Sequence, residues 1–181
     1  MAIRASIALA ALAVALTALP ASAEAGGCAS AHATTAHATK HQIVRATLCE
    51  LNRVRGRYHL GHLQLNKKLS RAARRHARDM ARRNYFSHDT LGGGSFVDRI
   101  RHEGYLRGAH TWYVGENLAW GTMGSSRPHV IMQLWMNSPG HRANILNATF
   151  REIGIGVAYD SPIRGGGRPA GTYATDFGSR H

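Results

Sequence analysis

EIGIGVAYD, Glu152 to Asp160, has a period of two: Ile153, Ile155, Val157 and Tyr159 are bulky, and Gly154, Gly156 and Ala158 between them carry almost no side chain. That alternation specifies a strand. Glycine weakens a strand interior and marks places where another part of the molecule approaches closely. One face of this strand therefore builds a core, and the bare face lets a helix or a side chain come near. A Gly/Pro/Arg-rich loop, Ser161 to Gly171, leads to another strand over Thr172 to Phe177, and the two are expected to lie antiparallel.

Upstream the period becomes helical. Val44, Leu48, Leu51 and Val54 or Arg55 recur along His41 to Arg55, with Gly56 as the expected stop. Asn66 can cap a second helix whose apolar face is Leu69, Ala72, Ala73, His76, Ala77 and Met80; its opposite face holds Lys67, Arg71, Arg74, Arg75, Arg78 and Arg82. Ser95 and Asp98 form a capping-box pattern ahead of Phe96, Val97 and Ile100, a short helix ending at Gly104. Thr111 to Val114 has strand character and leads into Gly115-Glu116-Asn117-Leu118. A helix from about Arg127 to Asn137 is expected to turn Val130 or Ile131, Leu134 and Trp135 inward.

The first 23 residues hold one charge, Arg4, an apolar run from Ile7 to Leu19 and the small-residue pattern Ala21-Ser22-Ala23, which reads as a secretory signal peptide. The apolar run is shorter than the roughly 20 residues a membrane span needs, and no later segment approaches that length. Residues 24–39 are small and polar and read as a flexible leader; residues 40–181 suit a single domain, expected to be monomeric. Two cysteines, Cys28 and Cys49, stand early in an exported chain, so they are expected to pair and fasten that leader to the first helix. Ala25-Gly26-Gly27 before Cys28 lacks the large aliphatic residue expected ahead of a lipidated cysteine.

Lys and Arg number 23 against 10 Asp and Glu, a formal charge of +13. Such a field favours anionic partners. For an exported protein those are cell-wall polymers, acidic lipid headgroups or extracellular nucleic acid. The second helix's arginines lack interleaved aromatics or a nucleic-acid motif, so nucleic acid is not the expected partner, and a solvated face is.

Several chemistries are missing from the sequence. There is no H-E-x-x-H, since Gly104, Tyr105 and Leu106 follow His102-Glu103; there is no G-x-S-x-G; and the Gly92-Gly93-Gly94 turn lacks the lysine of a phosphate loop. What remains is His88, Glu116 and His141. Ser138 and Pro139 place His141 in the first turn of a helix, where unpaired backbone N–H groups disfavour imidazolium and leave a neutral ring able to accept a proton or bind a metal.

Taken in order, YFSHDT, GENLAWG, QLWMNSPGHRANIL, EIGIGVAYD and YATDFG resemble the CAP superfamily, or SCP domain, of cysteine-rich secretory proteins, antigen 5 and pathogenesis-related 1 proteins, in its bacterial secreted branch. The resemblance runs from about Ala46 to Ser179. It implies an α+β fold, a three-layer α-β-α sandwich around a central antiparallel sheet. It also implies that His88, Glu116 and His141 meet in a surface cleft, where the family places two histidines and two acidic residues and some members hold zinc or another divalent cation. Imidazole and carboxylate suit zinc, and three protein ligands leave a position for water.

The second acidic residue is missing here, because Trp135-Met136-Asn137-Ser138 supplies only Asn and Ser; Asp89 and Asp98 are the candidates to replace it. Two arrangements stay open, a divalent metal held by His88, Glu116 and His141, or a metal-free cleft in which Glu116 bridges the histidines. Two functions follow. One is a secreted, extracellular or cell-wall-associated binding module for an anionic cell-envelope polymer, a lipid or a glycan; the other is a metal-dependent hydrolase with Glu116 as general base. Whether the chain is an enzyme stays open.

Overall fold

A computed structural model describes residues 27–181; the expected signal peptide, residues 1–23, lies outside them. Five helices, α1 (Lys40–Arg57), α2 (Lys67–Arg83), α3 (Phe96–His102), α4 (Pro128–Asn137) and α5 (Pro139–Ile145), surround four strands, β1 (Gln64–Leu65), β2 (Trp112–Thr122), β3 (Glu152–Ala158) and β4 (Ala170–Arg180). The sheet order is β1-β3-β4-β2. β4 pairs antiparallel with β3 on one side and β2 on the other, and β1, between α1 and α2, adds a two-residue parallel edge.

The bulky and bare faces of β3 sort the helices into two layers. Ile153, Ile155 and Val157, with Tyr173 and Phe177 of β4, form the main core with Ile43, Leu51 and Val54 of α1, Ile131, Met132 and Trp135 of α4 and Ile145 of α5. On the other side, a Cβ at Gly154 would lie 2.0 Å from the Leu69 carbonyl carbon, and one at Gly156 would lie 2.3 Å from that of Ala73. Only glycine lets the α2 backbone sit this close. Ala73, Ala77 and Met80 then cover Ala158, Ala174 and Leu118, while Leu69 and Ala72 meet Ile100 of α3. The α-β-α sandwich follows from this division.

Local signals placed most helix ends. The Asn66 side chain accepts from the Lys68 and Leu69 N–H groups, and Ser95 and Asp98 complete the capping box of α3. Gly56 does not stop α1, which continues to Arg57. Arg55, in the last turn of α1, is fully buried and donates to the carbonyls of Gly61, Ile145, Asn147 and Phe150, joining the end of α1 to the end of α5. Leu134, expected inward, is exposed on α4, and Met132 takes the buried position instead.

Cys28 and Cys49 form a disulfide. The segment after Cys28, which by composition reads as a flexible leader, lies on the body: Ala31 and Thr35 are buried, the Thr35 hydroxyl donates to the Ala170 carbonyl, and the Tyr159 hydroxyl donates to that of Ala38. Hydroxyl-to-carbonyl hydrogen bonds tie this segment to the body, a signal that composition does not carry. Among the described residues no helix is long and apolar enough to cross a membrane.

Candidate functional site

β2 is an edge strand of the sheet, opposite β1, so residues from the two helical layers can meet beside it. Its sequence, GENL, divides between those layers. Gly115 and Asn117 face α5, where a Cβ on residue 115 would lie 2.9 Å from Asn144 Oδ1. That space lets Asn144 Nδ2 donate to the Glu116 carbonyl and to Asn117 Oδ1, at 3.1 and 2.9 Å, while Asn117 Nδ2 donates to the His141 carbonyl at 3.0 Å. These bonds hold the start of α5, and with it His141, against β2.

Glu116 faces the α2/α3 layer. Strand character in the sequence ends near Val114, which would put Glu116 after the strand, but β2 continues to Thr122 because β4 pairs with it throughout. Glu116 is therefore mid-strand, its side chain only 1% exposed. His88 Nδ1 donates to its Oε1 at 2.8 Å, and Arg99 Nη2 donates to its Oε2 at 2.6 Å. Arg99 Nη1 also donates to the His88 carbonyl at 2.8 Å. Behind the histidine, buried His76 of α2 donates from Nε2 to the Ser87 carbonyl at 2.8 Å and pins the loop.

The second carboxylate beside Glu116 is Asp176, its cross-strand partner on β4. Asp89 is exposed in the loop, and Asp98 is committed to capping α3 and pairing with Arg101. Asp176 is completely buried, and burial together with the neighbouring Glu116 charge pushes its carboxyl well above the usual carboxylate range. Like charges in a dry site resist ionising together, and neither oxygen of Asp176 has a hydrogen-bond partner among the described residues, so its proton is held by burial and repulsion. Arg99 partly offsets the pair.

The two cleft histidines are pulled in opposite directions. The hydrogen bond to Glu116 raises the pKa of His88 despite burial, whereas burial, and then the charge of His88, lowers that of His141. The lowered pKa of His141 runs in the direction read from the sequence, but burial leads its causes. Ser138 has the backbone of an N-cap and Pro139 occupies the first turn, yet the Ser138 side chain makes no capping bond. His88 and Glu116 touch; His141 comes near His88 without hydrogen-bonding either.

Donor chemistry decides how well a divalent ion suits this cleft. A zinc centre uses three protein donors. Glu116 has committed both oxygens, one of them to a fixed guanidinium, which leaves two imidazoles. Among the described residues, no three His, Cys, Asp or Glu side chains are grouped so as to share an ion. The set as arranged does not fit a three-ligand metal centre.

Arg99 and Asp176 are the residues that sequence reasoning passed over. Arg99 is one of 23 Lys and Arg and carries no local signal. Asp176 did carry one: an acid inside the strand Thr172 to Phe177, where burial of its neighbours makes a carboxylate costly.

The model of the cysteine-rich secretory protein family, CAP, matches residues 48–174. Uncharacterized protein YkwD of Bacillus subtilis is 34% identical over 144 residues, 80% of this chain and 52% of YkwD, and uncharacterized membrane protein YlbC of the same species is 32% identical over 106 residues, 59% of this chain and 29% of YlbC. The chain thus spans about half of one curated relative and under a third of the other. Among solved structures, an extracellular SCP-domain protein of Bacillus anthracis superposes with a TM-score of 0.58 at 28% identity, over 77% of this chain and 43% of that one. An outer surface protein of Borrelia burgdorferi gives a TM-score of 0.66 at 20% identity, over 80% and 97% of the two chains, a likeness of fold.

Proposed function

This chain belongs to the CAP family of cysteine-rich secretory proteins, and from that premise we propose that it is an extracellular binding module whose cleft holds a hydroxyl- or acid-bearing group of a cell-envelope glycan without metal and without turnover. One observation carries the reading: both oxygens of Glu116 are taken, by His88 at 2.8 Å and Arg99 at 2.6 Å. A carboxylate bridged in this way is a poor general base, because taking a proton from water would break a charge-assisted bond in a buried site. What the cleft offers a ligand is a pair of unlike imidazoles, His88 biased toward its cationic, donating form and His141 toward its neutral, accepting form. Placement outside the cell agrees with the extracellular SCP-domain protein of Bacillus anthracis and with the N-terminal sequence.

Titration with a soluble cell-wall glycan fragment, zinc and calcium tests this on wild type, on His88→Ala with His141→Ala, and on Arg99→Gln. Wild type is expected to bind the glycan with chelator present, and the double variant to lose at least tenfold. Zinc is expected to bind wild type weakly. Arg99→Gln should melt earlier, because it leaves Glu116 and Asp176 uncompensated, and zinc should restore part of that loss by using the freed oxygen of Glu116. Tight zinc binding by wild type, with hydrolysis of a peptide or phosphodiester that chelation abolishes, would replace the binding module with the metal-dependent hydrolase.

A further inference from the structure

α2 is buried along one side and cationic along the other. Leu69, Ala72, Ala73, His76, Ala77 and Met80 are all covered, and Lys67, Arg74, Arg78 and Arg82 are all exposed. The arginines and Lys67 of this side fall into two groups. Arg71 and Arg75 are bonded to Glu103, and Arg83 pairs with Asp79. Lys67, Arg74, Arg78 and Arg82 have no ion-pair partner among the described residues. These four recur at intervals of seven, four and four residues, which keeps them on one line of the helix surface with neighbours about 6 Å apart at the four-residue steps, over roughly 22 Å. Beside the C-terminal half of this line runs a surface groove of about 460 Å³ lined by Arg75, Arg78, Asp79, Arg82 and Arg83.

Unpaired cations in single file are costly to assemble, since like charges four residues apart on a helix, as at Arg74, Arg78 and Arg82, destabilise it. We propose that this row is a second binding surface, a docking rail for a linear poly(glycerol phosphate) chain of the cell envelope. The proposal rests on the extracellular placement argued above but not on the cleft. The geometry selects among polyanions. A single row suits a single-file chain whose phosphates are separated by a short polyol, three meeting a guanidinium fork and one the Lys67 ammonium. A bilayer surface calls for apolar side chains beside the charges, and none of the large exposed hydrophobic residues lies on α2. The helix has also spent its apolar face on the sheet. Single-stranded nucleic acid calls for aromatic platforms between the charges, and α2 contains no aromatic residue other than the buried His76.

The test compares binding of lipid-free poly(glycerol phosphate) across salt by wild type and two variants of equal charge. One replaces the row: Lys67→Gln, Arg74→Gln, Arg78→Gln and Arg82→Gln. The other removes four exposed cations elsewhere, Arg45→Gln, Arg57→Gln, Arg107→Gln and Arg164→Gln. The row variant is expected to lose at least tenfold in affinity at low salt and to lower the slope of log affinity against log salt by about three, as release of counterions from four contacts along a single strand requires. The control variant should change less than threefold. Thermal midpoints establish that both remain folded. Equal losses in the two variants would show that net charge alone attracts the polymer and would overturn the rail, as would tighter binding of single-stranded DNA or of phosphatidylglycerol vesicles that the row variant also loses. The cleft variant, His88→Ala with His141→Ala, should keep the polymer; if it loses the polymer while the row variant retains it, the cleft reading stands and the rail falls.

Discussion

Toward α1, α4 and α5, β3 and β4 present Ile153, Ile155, Val157, Tyr173 and Phe177; toward α2 and α3 the sheet presents Gly154, Gly156, Ala158 and Ala174, with Glu116 and Asp176 among them. The first face stabilises by the area it removes from water. The second stabilises by closeness, because its missing side chains let a helix backbone rest on the sheet. It also carries two carboxylates that burial penalises, made tolerable by Arg99 and by the raised pKa of Asp176. Concentrating the large apolar groups on one face leaves the other free to hold polar chemistry beside an open edge strand.

The two faces should fail differently under adjacent substitutions. Gly154→Ala is expected to have the largest effect, about 4 kcal/mol, above the usual range for overpacking, because the new Cβ meets helix backbone at 2.0 Å and no side chain can turn aside. Urea denaturation measures it; a loss under about 1 kcal/mol would mean that α2 does not rest on the sheet as described. Next along the chain, Ile155→Ala should cost about 3 kcal/mol by opening a cavity on the apolar face. Ile155→Val should recover most of that, since this face responds to volume. If the alanine and valine variants were equally unstable, packing volume would not be what holds that side.

How much of this was legible in sequence follows the same division. The alternation Ile153 to Tyr159 announced both faces, and the apolar positions read for α2 are the buried ones. Periodic burial writes itself into residue order. β2 was only half legible: Gly115 interrupts strand character for the sake of Asn144, a residue on another element, and the pairing that extends the strand comes from β4. The family resemblance brought His88, Glu116 and His141 to one region. It supplied no partner for Glu116 beyond the histidines, and in the structure Arg99 and Asp176 reach it from α3 and β4. Contacts of that kind depend on register and helix placement, which no local pattern encodes.

Asp176→Asn gives the smallest effect and the most direct test of the polar face. Because the folded pKa of Asp176 lies above its unfolded value, its contribution to stability is fully present below about pH 4. It is lost as pH rises through the folded value, where a proton must leave a buried group next to Glu116. Asparagine keeps the shape and never ionises. The variant should therefore be close to wild type near pH 4 and gain on it as pH rises, by on the order of 1 kcal/mol, the common size of a single substitution. Thermal midpoints of both proteins between pH 4 and pH 8 supply the measurement. A difference that stays flat across that range, or that favours aspartate at high pH, would mean that Asp176 is ionised in the folded chain and that Arg99 serves both carboxylates. The polar face would then be held by an ion triad instead of by a charged Glu116 beside a neutral Asp176.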